Sequence, residues 1–275
     1  MIASQAVNIE APPTIKRQRL LSLLMWLGIA ALMVWAFFGT EISLGKLLQG
    51  VGESWKLLFG TATKPNSGFI PPNFSRFPEY LEQILLTIKM AMWGTALAVL
   101  PAIGLSILGA KNTSPHPVVY FVTRRILDLL RAVPEFVLAL VFVVAVGLGP
   151  FSGILALAVY TTGILAKLFS EGIETVDPGQ IEAVRAAGGN AFQAFTHGVF
   201  PQVLPHIASM TLYRFESNVR AAQVLGLVGA GGIGFFLNEA LRGFDFPAAG
   251  AIITLIIISV FFVDFLSSKI RERLT

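Results

Sequence analysis

Arg214, Glu216, Asn218 and Arg220 fall inside one apolar stretch that runs from Ile207 to Val228. On a helix, Glu216 and Arg220 stand at i and i+4 and share a face, and Arg214 and Asn218 share another. Pairing Glu216 with one arginine leaves the second guanidinium without a carboxylate. A planar guanidinium binds carboxylate or phosphoryl oxygens bidentately. These residue types are therefore suited to holding an anion rather than to breaking a bond. A purely structural role, in which the charges tie helices together, stays open beside that reading.

A second charged group occurs at Asp128, Arg131, Pro134 and Glu135. Asp128 and Arg131 are i,i+3, and Arg131 and Glu135 are i,i+4, so pairing within one helix is expected, with a kink at Pro134. Pro101 sits inside a further apolar run and is expected to bend it. His116, His197 and His206 make no metal-ligand or triad pattern, and no metal site is expected. No catalytic residue is expected either. Gly229, Gly231 and Gly234 satisfy a G-x-G-x-x-G spacing, but that fingerprint needs a strand before it and a helix after it. With Gly232 they read instead as a bent, closely packed backbone, for which packing and gating are both open. A G-x-x-x-x-G-K-[ST] phosphate loop does not occur, and the chain has no cysteine.

These residues must be positioned by membrane helices. Of the 275 residues, 55% are hydrophobic and 13% charged, and mean hydropathy is +0.73. A soluble domain carries about 25% charged residues, so a soluble enzyme and a disordered chain are excluded. Uncharged runs at 20–38, 90–110, 136–166 and 246–263 approach or exceed the length of a span. The 136–166 run is broken by Gly147-Leu148-Gly149-Pro150, which reads as a tight turn between antiparallel helices. Spans are expected at 20–38, 82–109, 124–148, 152–171, 206–228 and 246–266. Because backbone groups in a bilayer must be satisfied internally, the fold is all-α, with six helices.

Lys16, Arg17 and Arg19 precede the first span, and Lys269, Arg271 and Arg273 follow the last. The positive-inside rule places both ends in the cytoplasm. The layout is then a cytoplasmic tail at 1–19, a retained first span at 20–38, a periplasmic segment at 39–81, a core at 82–266 and a cytoplasmic tail at 267–275. In the periplasmic segment, Leu44, Leu47, Leu48, Val51 and Trp55 are spaced for a helix along the membrane surface, ended by Lys64-Pro65-Asn66-Ser67-Gly68. Membrane lipid is the surrounding partner. The basic residues are not massed on one segment, so nucleic acid is not.

The loop 171–206 is too long for a plain turn. Asp177-Pro178 starts a helix, with Asp as N-cap and Pro at the first position. Glu182, Ala183, Ala186 and Ala187 continue it with small side chains, and Gly188-Gly189-Asn190 ends it. A second helix is expected from Ala191 to Val199, stopped by Phe200-Pro201 and Leu204-Pro205.

The run Glu182-Ala183-Val184, then Gly188, then Pro201 resembles the EAA loop of ABC-importer permeases. Val184 replaces the second Ala of that motif, Gly198 occupies its Ile position and Phe200 its Leu. Arg214-Phe215-Glu216-Ser217-Asn218-Val219-Arg220, the run Gly226 to Gly234, Val144 to Pro150 and Ser170-Glu171-Gly172-Ile173-Glu174 resemble the phosphonate-importer branch. The resemblance covers most of the chain from about residue 80 onward. It implies a type I importer permease bundle whose cytoplasmic coupling helix (Glu182, Ala183, Val184, Ala187, Gly188 and Pro201) sits in a groove of an ATPase. It also implies a second copy of the chain, two ATP-binding subunits that bind ATP and Mg, and a periplasmic phosphonate-binding protein. If the charges of the 207–228 stretch serve an anion rather than hold helices, Arg214, Glu216, Asn218 and Arg220 would line the pathway, and the Gly229–Gly234 turn would lie at its outer end, as packing or as a gate.

Three function classes compete: an importer subunit, a carrier or channel acting alone, and a membrane enzyme. A lone carrier has no use for a coupling loop and would often show two similar halves. The enzyme reading lacks a nucleophile–base or metal set. The importer subunit is the expectation, with phosphonate as substrate and phosphite, phosphate or an amino acid as rivals.

Overall fold

The computed structural model describes residues 13–40, 43–60 and 67–273. The expected turn at Lys64-Pro65-Asn66 lies outside them, as do the first twelve and last two residues of the tails. The chain divides into two units, 1–55 and 56–275. The first holds α1 (Pro13–Gly39) and most of α2 (Leu44–Phe59). From Arg17 on, α1 exposes all its side chains, including Trp26, Met33 and Trp35, as suits a helix facing lipid.

The second unit is an all-helical bundle: α3 (Phe77–Gly109), α4 (Pro117–Ala132), α5 (Glu135–Val146), α6 (Pro150–Glu174), α7 (Pro178–Ala186), α8 (Ala191–Gln193), α9 (Phe200–Leu225), α10 (Ile233–Arg242) and α11 (Phe246–Arg271). Proline at the first or second position opens α3, α4, α6, α7, α9 and α11, where its missing N–H is harmless and its φ is already helical. His116 caps α4, its Nδ1 accepting from the Val118 N–H at 3.1 Å. Helix α6 is central and packs on α3, α4, α5 and α9. Its buried face, with Leu165, Ala166 and Phe169, shares a core with the small residues Ala98 and Ala102 of α3. Small side chains let membrane helices approach closely, which is where packing energy arises when lipid is as apolar as the core.

Four helices, α1, α3, α6 and α11, are long and apolar enough to cross a membrane. Two bent pairs, α4 with α5 at 83° and 191–228 with α10 at 41°, bring the number to as many as six if each pair is one span. The expected third span, 124–148, is therefore not one kinked helix. Val133 is extended (φ −91°, ψ 117°) because Pro134 disfavours helical geometry in the residue before it, and the helix breaks. Arg131 and Glu135 consequently lie on different helices and do not pair, and Arg131 bonds Asp128 at 3.0 Å instead. The tight turn at 147–150 forms as expected, with positive φ at Gly147 and Gly149. Helix α10 was not foreseen; the glycine run ahead of it hides its start.

Candidate functional site

The helical hairpin that follows α6 is built by local signals. The Asp177 side chain accepts from the Gly179 N–H at 2.9 Å, capping α7. The helix closes where Ala187 N–H bonds Ala183 O and Gly188 adopts φ +84°. Side chains with Cβ rarely adopt that conformation. Asn190 and Gln193 then form a capping box, each side chain accepting from the other's N–H at 2.9 Å.

From there the chain differs from expectation. The second helix is only briefly α-helical, passes through a π-helical stretch, Ala194–Val199, and runs straight into α9. Pro201 and Pro205 do not stop it. Pro201 sits in the first turn of α9, where no donor is needed, and Pro205 is carried inside the helix. The Phe200 N–H bonds Phe195 O, the i→i+5 register of the π turn.

Ile181 and Val184 of α7 turn toward this stretch and are half-buried, whereas Glu182, Ala183, Ala187, Gly188 and Pro201 are exposed. Gly198 is buried against the α7 backbone; a Cβ there would lie 3.2 Å from Ile181 Cα. The base of the hairpin is anchored to the bundle. Arg124, almost buried, donates to Gly109 O at 2.7 Å and to Glu174 at 2.8 Å, and Glu174 also accepts from the Lys111 N–H at 2.8 Å.

The charges of α9 fall into two sets. Glu216 lies 3.6 Å from Arg220, as the spacing predicts, and 2.9 Å from Arg271. Arg220 also reaches both carboxylate oxygens of Asp264. Two arginines and two carboxylates thus neutralise one another between α9 and α11. The sequence held a signal for Asp264, which ends the apolar run of the last span.

Arg214 stands apart. Among the described residues no carboxylate lies at ion-pair distance, and its Nε is buried without a partner. Its Nη2 is 3.4 Å from Asn218 Oδ1, and its guanidinium lies 5.6 Å from the centre of the Tyr160 ring. Asn218 is fully buried and ties three helices: its Nδ2 donates to Thr95 on α3 at 2.8 Å, and its Oδ1 accepts from Thr161 on α6 at 3.0 Å. Thr161 is near the middle of α6, about 17 Å from the helix start. Nothing in the sequence marked Thr95, Thr161 or Tyr160, since isolated Thr and Tyr are ordinary in such helices.

The glycine turn is tightly packed. Gly229, Gly231 and Gly232 all have positive φ. Gly229 O accepts from the Gly149 N–H at 2.9 Å, and Gly231 has Pro150 against its α-carbon, so the two glycine turns of the sequence dock on each other. The Ile233 N–H donates to Thr87 at 2.9 Å, which starts α10. A groove of about 600 Å³ lies beside this turn, lined by Leu140, Leu148, Leu227, Phe235 and Asn238 among others.

Residues 102–274 match the family model "Binding-protein-dependent transport system inner membrane component". The chain is 42% identical over 204 residues to the phosphite transport system permease protein PtxC of Stutzerimonas stutzeri, covering 74% of each protein. It is 42% identical over 206 residues to the phosphate-import permease protein PhnE of Mycolicibacterium smegmatis, covering 74% of this chain but 39% of that longer protein. Among solved structures, a subunit of the MetNI methionine ABC transporter in an inward-facing conformation shares the fold (TM-score 0.65, 19% identity, 74% of this chain and 99% of that one). The chain therefore belongs to the family of inner-membrane components of binding-protein-dependent transport systems and is a multi-pass permease subunit of an ABC importer.

Proposed function

We propose that two copies of this chain form the path of an ATP-driven importer for phosphonate or a related phosphorus oxyanion. The observation that carries the reading is Arg214. It is a guanidinium near the middle of α9 whose buried Nε has no partner and which makes no ion pair among the described residues, while the other charges of α9 are neutralised. A cation in the membrane is unfavourable by about 2.5–3.5 kcal/mol on insertion scales, and an anion in transit offsets this. The names of the relatives, for phosphite and phosphate transport, favour the same class of cargo.

Drive comes from partners. The chain has no phosphate loop, so ATP and Mg are bound by two ATPase subunits, each receiving one α7 hairpin through Glu182, Ala183, Val184, Ala187, Gly188 and Pro201. A single coupling loop per chain and two ATPase grooves call for two permease copies about a two-fold axis. A periplasmic phosphonate-binding protein delivers the cargo near the Gly229–Gly234 turn. Both termini and the hairpin are cytoplasmic, and 39–81 is periplasmic.

The test is uptake by proteoliposomes containing the chain and its ATPase, with the binding protein added outside. ATP-dependent accumulation of methylphosphonate, phosphite or phosphate is expected, with two permease chains per complex. Uptake of methionine and of no phosphorus compound would overturn the substrate assignment. A complex holding one copy with a different second permease would overturn the homodimer.

A further inference from the structure

Three cations at the end of α11 are placed differently. Arg271 turns inward and closes on Glu216 at 2.9 Å. Lys269 and Arg273 are exposed and make no ion pair among the described residues. Glu272, the acid nearest in sequence, is exposed and pairs with neither. Together with Leu266 and Ile270, the two free cations line a groove of about 330 Å³. Helical spacing sets Lys269 and Arg273 one turn apart, in line with Leu266, Phe265, Phe262 and Ile258 on one side of the helix. Phe262 is 65% and Phe265 67% exposed, so no described residue covers this stripe. The Lys269 Nζ lies 6.0 Å from the centre of the Phe265 ring, which holds the ammonium at the end of the stripe. Helix α11 is about 39 Å long against about 30 Å of hydrocarbon, so its charged end reaches the headgroup layer.

We propose that this end of α11 is a binding site for an anionic phospholipid, with the phosphate between Lys269 and Arg273 and an acyl chain along Leu266, Phe262 and Ile258. The inference concerns the bilayer rather than the cargo and stands independently of the function proposed above. The Arg273 guanidinium can donate to two phosphate oxygens at once, and Lys269 adds a compact charge beside it. The apolar stripe and the cations form one continuous surface, which matches a molecule that is apolar along its length and anionic at its head. A free phosphate would use the charges and leave the apolar wall idle. A second copy seated here about a two-fold axis would bring the same cations toward each other, like charge on like. Headgroup charge then selects the lipid. Phosphatidylglycerol carries a net negative charge, whereas phosphatidylethanolamine also brings an ammonium that both cations repel.

The experiment is native mass spectrometry of the delipidated permease–ATPase complex, titrated with dioleoyl phosphatidylglycerol and with dioleoyl phosphatidylethanolamine. The wild-type complex is expected to bind the glycerol lipid about tenfold more tightly, from two cations at the headgroup. Lys269→Gln combined with Arg273→Gln should bring the two lipids within about threefold. Arg17→Gln combined with Arg19→Gln takes the same charge from α1 and should keep the wild-type ratio. Equal binding by the wild type, or a wild-type ratio in the α11 double variant, overturns the site. An equal fall in the α1 variant overturns it too, since diffuse surface charge would then account for the preference. Displacement of the lipid by inorganic phosphate would assign the groove to a free anion. Loss of one permease copy from the α11 double variant would assign the face to a contact between copies. Either result overturns the lipid site. If that double variant yields no complex, Arg273→Gln alone decides, because Arg273 lies beyond the last helical residue. The ratio should then fall severalfold, and an unchanged ratio overturns the inference.

Discussion

Arg220 places one guanidinium nitrogen 2.9 and 3.0 Å from the two carboxylate oxygens of Asp264, joining α9 to α11. Both residues also serve a wider circuit, because Glu216 lies between Arg220 and Arg271. Removing one member leaves an opposite charge without its partner. Arg220→Leu is expected to destabilise the subunit by about 1.5–3 kcal/mol, the worth of a charged hydrogen bond. Adding Asp264→Leu to it should recover more than half of that loss, since an apolar pair replaces the stranded carboxylate. Thermal unfolding of the detergent-purified complex measures both; a double variant no better than the single one would show that the pair is not the source.

Arg214→Ala should lower uptake at least tenfold at equal membrane expression, with ATPase assembly intact. Among the described residues the side chain makes no ion pair, so its loss leaves no carboxylate of theirs stranded at ion-pair distance. Arg214→Lys should restore part of the rate, keeping charge but losing the planar fork. Undiminished uptake in the Ala variant would remove Arg214 from the pathway.

At the α7 hairpin, Glu182→Lys reverses a charge on an exposed side chain that makes no ion pair or side-chain hydrogen bond among the described residues, so insertion and stability should be unchanged. Uptake and cargo-stimulated ATP hydrolysis should both be lost. Gly188→Val should act through the backbone: at φ +84° a β-branched residue is unfavourable by about 1–3 kcal/mol, which reshapes the turn into Asn190. Normal coupled hydrolysis in both variants would place the ATPase contact elsewhere.

The same hairpin marks how far the sequence could be read. Asp177-Pro178 and Gly188-Gly189-Asn190 carry local chemistry for starting and stopping a helix, and the structure uses both as written. Pro201 and Pro205 read locally as stops, but Pro201 falls in the first turn of α9, directly after a π stretch that no local rule announces, and Pro205 is carried inside the helix. The Pro134 break was legible as a kink but not in size, since 83° depends on how α5 packs against α6. The Glu216–Arg220 pairing follows from spacing alone. Asp264, Arg271 and Tyr160 come from other helices, and only the packing of the bundle brings them to α9.

Gly198 stands where the importer motif has Ile, and the structure supplies a reason. A Cβ at this position would come 3.2 Å from Ile181 Cα and 3.3 Å from Gln180 O, so α7 has moved into the space a side chain would fill. Gly198→Ile, which restores the motif, should therefore damage the protein: about 1–3 kcal/mol lower stability from overpacking, and weaker coupling. Limited proteolysis of the hairpin and ATP hydrolysis read the two effects. A neutral Gly198→Ile would mean that α7 can shift freely away from the π stretch.

Asn218 separates holding the bundle from serving the anion. Its amide donates to Thr95 and accepts from Thr161, and the same oxygen is the nearest acceptor to Arg214. Asn218→Ala removes both interhelical bonds, a loss of about 1–2 kcal/mol, and leaves the Arg214 charge unanswered. Thr161 can turn back to a carbonyl of its own helix, as Thr162 does toward Ala158, which limits the damage. Asn218→Asp differs in one atom and in charge. It keeps the acceptor for Thr161, loses the donor to Thr95 and sets a carboxylate one turn from Arg214, at the i,i+4 spacing that favours an ion pair. The guanidinium is then neutralised from within. The Ala variant should therefore unfold at lower temperature yet retain phosphite uptake when assayed in the cold. The Asp variant should hold more of its stability and lose most of its uptake. Thermal midpoints and uptake rates at equal membrane levels distinguish them. If uptake tracks stability across both variants, the charge on Arg214 has no part in moving the anion and the residue is structural.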